Sequence, residues 1–343
     1  MKKLVIIGGG FTGSFIAKNL ENEFDVTLID SKDYFEYTPS VLRCIVEPDY
    51  IKKIQVMHDH YLKKAKVING CVKDLDEKEV IVNEEKIRYD YLIIASGSSY
   101  EAPFKEQNIV RAFRAKHLRD SYEKLKKAEE VLIIGGGIVG IELAGEILYK
   151  YKNKKITLVH SKECLIERCN DKAIDYAYKY LKKKKVRIIF NERIVEGNNK
   201  EYFTNNGRKI ETDITFLCVG IRPNFDFLKN NFSNILCERN LINVNDYLQV
   251  EGYENIFAGG DITNIMEEKT AQNAEKHAEV IIENLRNLEN KNELIGYMSK
   301  RRMLDISLGK YSGIMNYKNF CLTGIIPAAL KVLIEWKTMK GYK

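Results

Sequence analysis

Gly8, Gly10 and Gly13 follow the apolar run 4–7 and precede an amphipathic pattern that extends through Leu20. At this spacing the first glycine permits a sharp turn, the second lets backbone come close to a phosphate, and the third lets a helix pack tightly on the strand. The helix start, Phe11 and Thr12, then turns free N–H groups and a positive dipole end toward an anion. The same pattern is written again. The run 131–134 leads into Gly135, Gly137, Ile138, Val139 and Gly140, with a small residue four positions beyond the last glycine in both copies. Each copy is followed by a second strand-like run, 26–30 and 156–160. The later second strand implies a helix about three residues longer in the second copy. A chain built this way carries two dinucleotides.

The strand ends tell the two sites apart. Asp30 closes the first, where a carboxylate accepts both hydroxyls of a ribose. The second ends in His160, Ser161 and Lys162. With no acid there to repel a 2′-phosphate, the barrier to NADPH is absent and use of both NADH and NADPH is expected. Three more apolar runs close on small residues: Ala95-Ser96-Gly97, Val219-Gly220, and Gly259-Gly260-Asp261, the last placing an acid where no helix cap needs one.

The remaining composition narrows the class. Of 343 residues, 45% are hydrophobic and 30% charged, and only five are proline, so the chain buries a real core and is not disordered. A net charge of +7 spread along the sequence calls for no nucleic-acid partner. Seven cysteines without a CxxC pair, and an opening that reads as a strand rather than a secretory signal, point to a reducing, cytoplasmic compartment. No run of eighteen apolar residues is present, and Lys2 leaves no glycine for myristoylation. His58 and His60 have no partners at metal-ligand spacing, so no metal is expected.

Taken together, the two glycine motifs, Asp30, the Ala-Ser-Gly stretch and the Ala-Gly-Gly-Asp stretch resemble the flavin-dependent pyridine-nucleotide oxidoreductases. Lys32-Asp33-Tyr34-Phe35, Leu42-Arg43, Val46-Glu47-Pro48, Val244-Asn245 and Trp336-Lys337-Thr338-Met339 are similar to the apoptosis-inducing-factor-like ferroptosis-suppressor quinone reductases. Thr270-Ala271-Gln272-Asn273-Ala274 looks like the quinone-side helix start of the type II NADH dehydrogenases. The resemblance implies an α/β fold of two Rossmann-like domains with a small C-terminal α+β segment. The FAD domain would occupy 1–108 and 241–295, the NAD(P)H domain 109–240, and a hairpin with a helix from Pro327 would fill 296–343.

It also implies roles. Asp261 would hold the ribitol of FAD, and the helix opening at Ala271 would aim its N-terminus at the flavin. Gln272 would face the quinone, and Glu142 would meet the nicotinamide end. Lys32 and Arg43 read equally well as contacts to the pyrophosphate or flavin edge and as solvated cations. The expected reaction is hydride transfer from NAD(P)H to flavin and two-electron transfer to a quinone. Two alternatives stand beside it: a disulfide or peroxide reductase working through Cys44, whose setting resembles the coenzyme A disulfide reductases, and a nucleotide-sensing protein that binds flavin without turnover. The stretch 325–339 has one broad apolar face followed by Lys340 and Lys343, which suits either a docking helix or peripheral contact with a cytoplasmic membrane face. A homodimer is allowed for.

Overall fold

The computed structural model describes all residues except 101, 102, 107, 108 and 199. The proposed domain boundary at 108 therefore lies outside the described residues. The first apolar run forms β1 (Lys3–Ile7), whose last four residues are all buried, as a central parallel strand requires. It leads through the glycines into α1 (Phe11–Leu20) and then β2 (Asp25–Asp30), with β3 (Lys66–Asn69) and β4 (Tyr91–Ile94) following. A long helix, α2 (Arg111–Lys127), carries the chain to the second unit. There β5 (Glu130–Ile134), α3 (Ile138–Lys150), β6 (Lys155–Val159), α4 (Asp171–Lys183), β7 (Arg187–Ile189) and β8 (Ile214–Leu217) repeat the plan. The helices after the two glycine turns have 10 and 13 residues, the difference expected from the strand spacing.

The chain then returns. β9 (Ile256–Ala258) pairs with β4 at the edge of the first sheet, and α5 (Ala271–Asn290) packs along α1. The strand order is β9-β4-β1-β2-β3 in one sheet and β7-β6-β5-β8 in the other, every pairing parallel. Both are the doubly wound arrangement in which ligands bind beyond the strands' carboxyl ends. Thr12 Oγ1 donates to the Ala274 carbonyl at 2.9 Å, which bonds the returning segment to the first cradle, and within that segment the Gly260 N–H donates to His277 Nδ1 at 2.9 Å.

The C-terminal segment differs in detail from the expected hairpin. It is a three-stranded antiparallel meander, β10 (Leu304–Ser307), β11 (Gly313–Tyr317) and β12 (Phe320–Gly324), followed by α6 (Ile325–Lys340). Lys318 takes a left-handed φ of 48° and turns the chain into the third strand. The helix starts two residues before Pro327, because a proline in the first turn forfeits an N–H that has no helical partner. Tyr342, just beyond α6, stacks on Phe35 at 4.0 Å and its hydroxyl meets Ser14 Oγ at 2.8 Å, anchoring the segment on α1.

A buried ion network joins α2 to the first unit. Arg114, 1% exposed, donates from Nε and Nη2 to the two Glu36 carboxylate oxygens, both at 3.1 Å, and from Nη2 to the Phe104 carbonyl at 2.8 Å. Gln55 Nε2 donates to the same Glu36 at 2.8 Å.

Candidate active site

The two glycine turns match in atomic detail. A Cβ at Gly8 would lie 2.3 Å from the Ala95 carbonyl oxygen, and one at Gly135 2.5 Å from that of Cys218. A Cβ at Gly13 or Gly140 would lie 1.9 Å from the oxygen of Gly8 or Gly135. By contrast, a Cβ at Gly10 or Gly137 would meet nothing within 4 Å. Each loop is closed by backbone where the strand and helix meet and open where a pyrophosphate would approach. Gly97 and Gly220 take positive φ, and a Cβ at either would also meet nothing within 4 Å.

Asp30 ends β2 with its carboxylate buried, accepting from the Lys32 N–H at 3.2 Å and from His58 Nε2 at 3.0 Å. Burial opposes its ionisation, but the His58 hydrogen bond and the Lys32 charge outweigh it and hold the carboxyl below its ordinary range. His58, fully buried, meets Tyr61 Oη at 2.6 Å through Nδ1. This orienting histidine was not legible as part of the site. Its one signal was proximity to His60, which points elsewhere. The Lys32 ammonium lies over the Tyr34 ring at 5.8 Å. Arg43 is engaged away from the first cradle: it forms a two-pronged pair with Glu146 of α3, Nη2 to Oε1 at 2.8 Å, and stacks on Tyr50.

Ser96 and Asn224 exchange hydrogen bonds with each other's carbonyls at 2.8 and 2.7 Å, linking the two units beside Gly97. Asp261 accepts from Ser98 Oγ at 2.5 Å and from Lys105 Nζ at 2.9 Å. Burial again opposes ionisation, and the Lys105 charge again prevails, keeping the carboxyl low. Nearby, Thr270 caps α5 by accepting from the Asn273 N–H, and no acid occupies the first turn around Ala271 and Gln272. The positive end of that helix is left for a ligand's negative charge. Gln272 Nε2 reaches the Met303 carbonyl at 3.4 Å.

In the second unit, Ile138 and Val139 open α3, and half-exposed Val219 lies beside the turn. His160 accepts the Gly136 N–H on Nδ1 at 3.1 Å, so the neutral ring carries its proton on Nε2, which is buried with no hydrogen-bond partner among the described residues. Its nearest acid, Glu167, stands 3.6 Å away. Glu142, one helical turn before Glu146, accepts from the Ser307 N–H at 2.8 Å and pairs with Lys331 of α6. Neither partner was read from the sequence. Arg43, Glu146, Ser307, Lys331, Val332 and Glu335 line one cleft between the two units and α6. Cys44 is fully buried, and burial pushes its thiol far above the ordinary range.

Residues 2–278 match the pyridine nucleotide-disulphide oxidoreductase family. The chain belongs to that family. It is 38% identical to apoptosis-inducing factor homolog A of Dictyostelium discoideum, an alignment covering 91% of this chain and 84% of the relative. It is 28% identical to ferroptosis suppressor protein 1 of Taeniopygia guttata, over 98% and 95% of the two chains. Its fold superposes on the sulfide:quinone oxidoreductase of Aquifex aeolicus with a TM-score of 0.84 at 19% identity, covering 99% of this chain and 92% of that one. As a member of this family the chain is a flavoprotein oxidoreductase with FAD and NAD(P)H as its cofactors. The two open glycine cradles and their unpaired helix N-termini fit two such dinucleotides.

Proposed function

We propose that this oxidoreductase passes electrons from NAD(P)H to a quinone, with FAD in the first cradle and the nicotinamide nucleotide in the second. Bound FAD supplies the two-electron relay between donor and acceptor. The observation that carries the reading is the cleft where the two units meet α6: it is lined by Lys331, whose ammonium pairs with Glu142, and opens beside Val332, which continues onto an exposed apolar helix face. Gln272 and the acid-free start of α5 favour negative charge on the flavin's pyrimidine side. β6 ends without an acid of its own, in His160-Ser161-Lys162, which supports use of both nucleotides. The buried, raised thiol of Cys44 argues against a disulfide route, since the thiolate is the nucleophile in that chemistry.

The test is anaerobic. Protein reduced by NADH or NADPH is mixed with a short-chain quinone or with coenzyme A disulfide, in wild type and Cys44→Ser. Fast quinone reoxidation, altered less than about twofold by the substitution, is expected. Cys44-dependent reoxidation by the disulfide would replace the quinone with a disulfide as acceptor. Failure of either nucleotide to bleach the flavin would leave only a binding protein.

The same reading places α6 against a membrane. Ile325, Leu333 and Trp336 are 64%, 54% and 58% exposed, with Lys337 and Lys340 beside them. No helix among the described residues is long and apolar enough to cross a bilayer, so contact would be interfacial. Leu333→Glu with Trp336→Glu should abolish co-sedimentation with anionic vesicles while leaving reduction of a water-soluble quinone intact; unchanged sedimentation would remove the membrane from the proposal.

A further inference from the structure

Tyr342, two residues beyond α6, is 6% exposed and reaches three arms of the first cradle. Its ring is stacked on Phe35, whose own ring meets Phe11, the first residue of α1, edge-on at 5.3 Å. It also stands edge-on to the Tyr61 ring, 4.9 Å between centres, and Tyr61 Oη lies 2.6 Å from Nδ1 of His58, the histidine whose other ring nitrogen is bonded to Asp30. The third arm is the hydroxyl. Ser14 Oγ gives its one proton to the Gly10 carbonyl at 2.6 Å, so the Tyr342 hydroxyl is the donor between the two. Each arm ends on a residue that shapes the cradle: Phe11 at the helix start, Asp30 at the strand end, and Gly10 at the open point of the glycine turn.

The ring is held in place from both sides. Lys18 donates to the Gly341 carbonyl and lies over the Tyr342 ring at 5.6 Å, and Lys343 Nζ donates to the Lys53 carbonyl at 3.2 Å. Withdrawing the ring would open a void against Phe35 and Tyr61 and leave the buried Ser14 hydroxyl short of a donor. Ahead of Tyr342, α6 is tied to the second unit, where Lys331 pairs with Glu142 and, with Val332 and Glu335, lines the acceptor cleft. One segment therefore touches the first cradle and the cleft together.

We propose that Tyr342 is a positioning residue of the flavin site, through which FAD binding and the docking of α6 are coupled. It acts through Ser14, Phe35 and Tyr61 rather than on the dinucleotide itself. Coupling between two sites is reciprocal, so FAD in the first cradle also seats the ring and holds α6 against the body. The proposal rests on the placement of FAD in that cradle.

Holoprotein carrying Tyr342→Ala or Tyr342→Phe tests it. After dilution, Tyr342→Ala should release FAD about tenfold faster than wild type. The NAD(P)H concentration that half-bleaches the flavin still bound should stay within about twofold. Tyr342→Phe, which keeps the stack and loses only the bond to Ser14, should recover most of the FAD retention. In diluted holoprotein, excess FAD should slow hydrogen exchange of the α6 amides in wild type and have no effect on them in Tyr342→Ala. Unchanged FAD release in Tyr342→Ala, or α6 exchange that ignores FAD in wild type, would overturn the coupling. Equal weakening of FAD and NAD(P)H binding would mean general loosening and overturn the positioning role. Weaker NAD(P)H binding with FAD fully retained would overturn the placement of FAD in the first cradle, and the role of Tyr342 with it.

Discussion

Replacing Arg114 with methionine should lower the unfolding free energy by about 3–5 kcal/mol, because it leaves a buried carboxylate without its counter-charge. Glu36 is buried beside Arg114 and would keep only the Gln55 amide as a donor. In the native protein burial opposes ionisation of Glu36, and the Arg114 charge more than offsets this, so its carboxyl lies below the ordinary range. That pair therefore stabilises above the unfolded-state pKa, and its contribution is lost as pH falls through the lower folded value. In the variant the sign reverses: unpaired Glu36 titrates high, and the deficit should shrink as pH is lowered toward the carboxylate range. Adding Glu36→Met to Arg114→Met should recover part of the loss, since the only carboxylate among the described residues then left without Arg114 is Glu106, paired with it at 2.7 Å in the native protein. Denaturant unfolding at neutral and mildly acid pH measures all three. A loss under about 1 kcal/mol for Arg114→Met would mean that the network is of the weak, solvent-screened kind.

The second large effect separates the two cradles. Gly10 and Gly137 have φ of −75° and −73° with extended ψ, which any residue adopts, and open space where a side chain would go. Valine at either position should leave the fold intact and fill the place of a pyrophosphate. Gly10→Val should purify without flavin. Gly137→Val should keep its flavin but need on the order of a hundredfold more NAD(P)H for half-maximal bleaching, the scale of loss that follows when a bound group is displaced by about an ångström. Gly13→Ala is the contrast, since its methyl would collide with the Gly8 carbonyl 1.9 Å away and the fold itself should fail. Equal flavin loss in Gly10→Val and Gly137→Val would contradict the assignment of one cofactor to each cradle.

What the sequence made legible is what is local. Strand, glycine turn, helix and strand-ending acid lie within about thirty residues of one another, and their spacing encodes both the parallel unit and the open side of its loop. The partners of those residues are not local. Lys105 is 156 positions from Asp261, and Lys331 is 189 from Glu142. Such pairs are created by the way two sheets and the C-terminal segment come together, and no periodicity along the chain records them. Arg43, which reads equally well as a ligand contact and as a solvated cation, has a partner that neither reading contained: Glu146, 103 residues away.

The first sheet takes its edge strand, β9, and the helix along α1 from chain that follows the whole second unit. During synthesis the amino-terminal half therefore emerges with one strand position vacant and one helix flank uncovered, while the second unit has all four of its strands within a single stretch. The first sheet can be completed only after the strands of the second have been made.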